Sequence, residues 1–138
     1  MAAAIARAAV RRRGWGHVRA ASAGVAAADG SPASAEVAPV LREQGIELGD
    51  HASRQLTPEI VEWADSILVM SPAHLFAVED LGGRGKVAFI TEFLDGEEGG
   101  RPVADPIGGD LDTYRRTRDQ LTRAVEAVLD RLEPILAP

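Results

Sequence analysis

Ile67-Leu68-Val69-Met70 runs without a polar residue and ends at Ser71-Pro72. Four consecutive apolar residues leave no face for water, so the stretch predicts a strand covered on both sides, as in a parallel sheet between helices. Ser71-Pro72 predicts a helix start directly after it. Serine accepts from a free first-turn amide, and proline fits the first helical position. Thr57-Pro58 repeats the device one element earlier, for a short helix ending near Ala64. Val87 to Ile90 reads as the next buried strand, after a helix that Gly82-Gly83 closes.

Moving outward, His17 to Ser22 is a third strand leading into Ala23-Gly24-Val25. Met1 to about Arg12 reads as a helix with Ala2, Ile5, Ala8 and Ala9 on one face, broken by Gly14 and Gly16. Ser31-Pro32 opens another helix, with Val37, Val40 and Leu41 inward and Gly45 as its C-terminal cap; Pro39 inside it predicts a kink or a late start. Asp95 to Asp110 is a loop rich in Gly, Pro and acids. A last helix runs from about Asp110 to Leu132, with Leu111, Tyr114, Leu121, Val125, Val128 and Leu132 inward, and stops at Pro134. Strands alternating with helices make this an α/β fold: three layers, α-β-α, around a parallel sheet. Its 138 residues match one domain spanning 1–138.

The chain is 46% hydrophobic but only 4% aromatic, so Ala, Val, Leu and Ile must build the core. A net charge of −6 argues against nucleic acid or an anionic membrane as partner, and no apolar run reaches membrane-spanning length. Arg7, Arg11, Arg12, Arg13 and Arg19 all precede the first acid, Asp29. Such an acid-free start resembles an organelle transit segment in composition. Cations ending a helix, where they complement its dipole, are the better account of Arg11 to Arg13. There is no cysteine, which excludes disulfides, thiolate metal sites and a cysteine nucleophile within these residues. His17, His51 and His74 lack metal-ligand spacing.

One segment carries chemistry. In Ala104-Asp105-Pro106-Ile107-Gly108-Gly109, proline keeps Asp105 out of helical geometry and the glycines turn the chain sharply before the long helix. A carboxyl group on a stiff loop beside a helix N-terminus is placed to act as a general acid; Asp-Pro is equally a common turn opener. Asp110-Leu111-Asp112-Thr113 matches the Asp-x-Asp-x-Thr signature of haloacid-dehalogenase-type phosphatases. The preceding Pro106 to Gly109 cannot form the buried strand that chemistry requires, so these acids read as helix N-terminal charges.

Met1-Ala2-Ala3-Ala4-Ile5-Ala6-Arg7, Arg19-Ala20-Ala21-Ser22-Ala23-Gly24-Val25, His51-Ala52-Ser53-Arg54-Gln55-Leu56 and Trp63-Ala64-Asp65-Ser66-Ile67-Leu68-Val69-Met70 follow one another. Asp105-Pro106-Ile107-Gly108-Gly109 and Tyr114-Arg115-Arg116-Thr117 complete the series. In order and spacing it resembles the low-molecular-weight protein tyrosine phosphatase family across essentially the whole chain, above all the bacterial branch that includes protein arginine phosphatases.

The resemblance implies a four-stranded parallel sheet. It also implies a phosphate loop of Cys, five residues, Arg, then Ser or Thr and Pro, after which a helix begins with Met-Ala. The first strand, the nucleophile and the phosphate-gripping arginine are therefore expected before Met1, in a piece on the order of fifteen residues, leaving three strands here. The missing cysteine and the absence of a capping residue before the first helix would share that cause. The resemblance makes Asp105 the catalytic acid of a phosphatase acting on phosphotyrosine or phosphoarginine through a cysteinyl-phosphate intermediate. It also implies phosphorylated protein substrates, no cofactor, a cytoplasmic location, and no activity for these residues alone. Ser22 is expected to support the phosphate loop, Arg54 to order a loop, and Tyr114 to lie in the core. Many members carry an aromatic wall after Asp-Pro; here Ile107-Gly108-Gly109 follows, which leans towards the bacterial branch. Arsenate reductases of this fold need further cysteines. A non-catalytic binding module of the same fold stays open as the alternative.

Overall fold

The computed structural model describes residues 1–25, 30, 33–49 and 52–138. The helices are α1 (Ala2–Arg12), α2 (Val37–Arg42), α3 (Pro58–Trp63), α4 (Pro72–Val78) and α5 (Leu111–Leu136), and the strands are β1 (Ile67–Val69) and β2 (Val87–Phe89). The strands pair in parallel, Ile67 with Val87, Leu68 with Ala88 and Val69 with Phe89. A π turn, Glu79–Gly83, follows α4 and closes at Gly82, whose φ of 97° requires glycine. The architecture is the expected α/β three-layer fold with a parallel sheet.

Local chemistry explains where α3 and α4 begin. The Thr57 hydroxyl accepts from the Ile60 amide at 3.3 Å and Ser71 from His74 at 3.3 Å, each with proline in the first turn. Gly45, at φ 72°, ends α2, and the amides of Gly45 and Ile46 close back on Arg42 and Leu41. The described part of that helix starts at Val37, with Pro39 in its first turn. The expected opening at Ser31-Pro32 lies outside the described residues.

Three expectations change. His17 to Ser22 forms no ladder strand; His17 sits in a turn, and among the described residues an isolated bridge pairs Gly24 with Gln55. Its cause lies in the partners: Gly24 exchanges hydrogen bonds with Arg54 and Leu56, and no described strand runs beside residues 18–23. Among the described residues two strands are thus seen, not three. Pro134 does not stop α5, which continues to Leu136. Proline there removes a single amide in the last turn, and the Ala137 amide still reaches Glu133 at 2.9 Å. Leu111 is 41% exposed and off the inner stripe; at the first helical position its Cβ leans towards the turn before α5, away from the core.

α5 is the centre of packing. Its Leu121, Ala124 and Val125 join Ile5 and Ala9 of α1 and Val40 and Leu41 of α2 in one buried cluster. Trp15 is buried as well, with the Arg13 guanidinium 5.2 Å from its ring. Arg13 also bridges to Glu126 and Asp130 of α5, at 2.6 and 2.8 Å. The helix-end arginines are therefore not all free in solvent.

Candidate active site

Two backbone contacts bring Asp105 to the carboxyl end of the sheet. The Ile90 amide extends the ladder to Val69 at 2.8 Å, and the Val103 amide bonds to Met70 just past β1, at 2.9 Å. Val103 is buried, so the chain is anchored two residues before the acid. Upstream, the Thr91 hydroxyl donates to the Arg101 carbonyl at 2.6 Å and the Gly100 amide to Thr91 at 3.0 Å, tying down the start of this segment.

The acid itself opens a turn. The Ile107 amide donates to Asp105 Oδ1 at 3.0 Å, and the Gly109 amide to the Pro106 carbonyl at 2.8 Å. Gly108 has φ 82°, so Pro106 to Gly109 is a type II turn that needs glycine at its third position. A Cβ on Gly109 would stand 2.7 Å from the Thr113 methyl and 2.9 Å from the Pro106 carbonyl oxygen. Next in the chain, Asp110 caps α5, accepting from the Thr113 amide and hydroxyl at 2.9 Å each. Those bonds, the amide's first, hold its carboxyl below the usual range. Asp110 is thus a helix cap, which accounts for the Asp-x-Asp-x-Thr match.

Asp105 lies on the rim of a cavity of about 270 Å³. Met1 and Ala2 at the start of α1, Met70 after β1, His74 of α4, and Tyr114 and Leu121 of α5 share its lining. The positive N-terminal end of α1 thus borders the cavity that the exposed Asp105 carboxyl group also lines. Ile107 projects beside the cavity mouth, 74% exposed.

The remaining singled-out residues scatter. Arg54 Nε donates to the Ser22 carbonyl at 3.0 Å and orders that loop. Ser22 is exposed and does not line the cavity. His17 meets the Leu136 carbonyl at 2.6 Å, at the far end of α5, and His51 lies outside the described residues. Tyr114 is core, 2% exposed. The sequence reading missed Met70 and His74 as cavity residues, since only the crossing of separate elements places them there. A second, open groove of about 370 Å³ lies between Arg19 to Ala21 and the α3 side, where Arg54, Ile60 and a 55%-exposed Trp63 line it.

Known proteins are similar to this chain in sequence and in fold. The family model described as low molecular weight phosphotyrosine protein phosphatase matches residues 1–135. A protein-arginine-phosphatase of Geobacillus stearothermophilus is 36% identical over 114 residues, 81% of this chain and 75% of that protein. One of Bacillus subtilis (strain 168) is 34% identical over 135 residues, 96% of this chain and 87% of that protein. The solved structure of the YwlE arginine phosphatase from Geobacillus stearothermophilus superposes with a TM-score of 0.82 at 33% identity, covering 96% of this chain and 83% of that one. This chain belongs to the low molecular weight phosphotyrosine protein phosphatase family.

Proposed function

We propose that these residues supply the general acid and most of the reaction cavity of a cytoplasmic protein phosphatase that hydrolyses phosphoarginine or phosphotyrosine side chains. The observation that carries this reading is Asp105, fixed by its own turn on the rim of the cavity where α1 begins. The chain contains no cysteine, so the thiolate and the phosphate-gripping arginine come from a loop outside these 138 residues. That loop sits at the α1 N-terminus, where helix amides and dipole favour a phosphate.

The reaction then has two steps. The thiolate attacks phosphorus and breaks its bond to the tyrosine oxygen or arginine nitrogen, while Asp105 gives its proton to the departing atom. The arginine holds the equatorial oxygens as charge spreads over them. Asp105, now a carboxylate, takes a proton from water, which attacks phosphorus and releases phosphate and the thiolate. The 138 residues alone hydrolyse no para-nitrophenyl phosphate.

Asp105→Asn in the protein that carries the loop tests the assignment. It should lower kcat for a poor leaving group about 10²–10⁴-fold and leave the fold intact by circular dichroism. Unchanged turnover would remove Asp105 from the mechanism. Phosphatase activity of the cysteine-free 138 residues would remove the thiolate reading altogether.

A further inference from the structure

Asp105, Ile107 and His74 are all exposed, and they line one cavity. Backbone geometry brings them together: the Val103 amide bonds to the Met70 carbonyl at 2.9 Å, so the Asp105 segment and α4 both leave from the end of β1. Asp105 follows that tie by two residues and His74 by four. Asp105 is the acid, and the Ile107 amide holds its turn. The His74 ring has no such task. The fold uses the backbone of His74, whose amide donates to Ser71 Oγ at the start of α4. Among the described residues the ring itself has no hydrogen-bond or ion-pair partner. Of the described residues that line the cavity, His74 alone carries a side-chain nitrogen. An imidazole presents an N–H in either neutral tautomer and when protonated, and an exposed one exchanges water for a new acceptor at little cost.

We infer that His74 binds the protein part of the substrate: its imidazole N–H donates to a main-chain carbonyl next to the phosphorylated residue. This rests on the proposed function, which makes the substrate a phosphorylated protein. The phosphorylated side chain reaches inward past Asp105, so the main chain that carries it stays outside, level with the exposed residues. A main chain offers carbonyl oxygens whatever its sequence, and those oxygens call for donors. Asp105 gives its proton to the leaving group, and the Ile107 side chain offers only apolar surface. The imidazole is the donor that remains. His74 takes no part in the phosphoryl transfer.

The test compares two substrates of the loop-bearing enzyme. One is a phosphopeptide with alanine on both sides of the phosphorylated residue; the other is para-nitrophenyl phosphate, which has no main chain. His74→Ala keeps the amide that Ser71 needs and should preserve the fold by circular dichroism. It should lower the ratio of kcat/KM for the peptide to kcat/KM for para-nitrophenyl phosphate about three- to tenfold, through the peptide's KM. His74→Gln restores a side-chain N–H and should bring the ratio back to within about twofold of the parent. An alanine variant whose ratio stays at the parent value would overturn the inference, whether activity is kept or lost on both substrates. A fall carried by kcat would move His74 to the reaction itself, and a glutamine variant as weak as the alanine one would remove the donor; either result overturns the inference as well. A parent enzyme inactive towards both substrates would instead sink the proposed function.

Discussion

The helices gathered around α5 and the sheet with its neighbouring segments are built to different standards. On the helical side, α1 and α2 bury Ile5, Val40 and Leu41 against Leu121 and Ala124. Their charged edges close as well: Arg13 reaches Glu126 and Asp130, while Arg115 and Arg118 share Glu43. On the sheet side, β1 pairs with β2 along one edge, and no other described strand pairs with it. Residues 18–23 have no ladder, Trp63 lies open in a groove, and a cavity opens beside Asp105. The comparison locates dense packing in one half of the molecule and open, cavity-bearing surface in the other. The proposed chemistry lies with the second, since Asp105 stands on the rim of that cavity.

Paired truncations would break this contrast if it is wrong. Ile5→Ala removes a side chain buried to 2% exposure and should cost about 2–5 kcal/mol. Trp63→Ala removes a larger side chain from the open groove and should change stability by no more than about 0.5 kcal/mol. Urea titration of both variants measures the difference. Similar losses would mean that the groove is as well packed as the helical core.

The Asp105 turn is the rigid exception within the open half, and Gly109 tests it. An added methyl meets Thr113 and the Pro106 carbonyl, so Gly109→Ala should cost about 1–3 kcal/mol through overpacking. It should also displace Asp105, lowering kcat in the loop-bearing enzyme more than it raises KM. Wild-type stability together with wild-type kcat would show that the turn tolerates the methyl and does not position the acid.

What could be read from the sequence follows the range of the forces involved. The starts of α3 and α4 were legible because Thr57-Pro58 and Ser71-Pro72 act within one turn, and β1 because its apolar run speaks for both faces at once. The Asp105 turn was legible for the same reason: Asp-Pro and Gly-Gly act over five residues. Lone non-local pairings were not. Residues 17–22 have the composition of a strand, but a ladder needs a neighbour, and composition does not say which neighbour is present. Arg13 looked like a solvated helix end because Glu126 and Asp130 stand 113 and 117 positions away. His74 and Met70 join the cavity only when α4, β1 and α5 meet, and nothing within either residue's own segment announces it.

Glu43 offers the smallest effect, and it lies wholly within the helical half. Arg115 and then Arg118 donate to its carboxylate and hold its pKa at about 2, against an ordinary 4.5. The folded state therefore binds fewer protons than the unfolded one between those values. Its contribution is complete above pH 4.5 and disappears as pH falls towards 2. Glu43 and Arg115 are both more than a third exposed, so salt screens much of the effect. Glu43→Gln should leave the fold intact at pH 7 with a slightly lower urea midpoint. Between pH 4.5 and 2.5 it should lose stability less steeply than the parent, and the gap should narrow in high salt. Equal acid slopes for the two proteins would mean that the arginine network adds nothing, leaving the closed edge of the helical half to apolar packing alone.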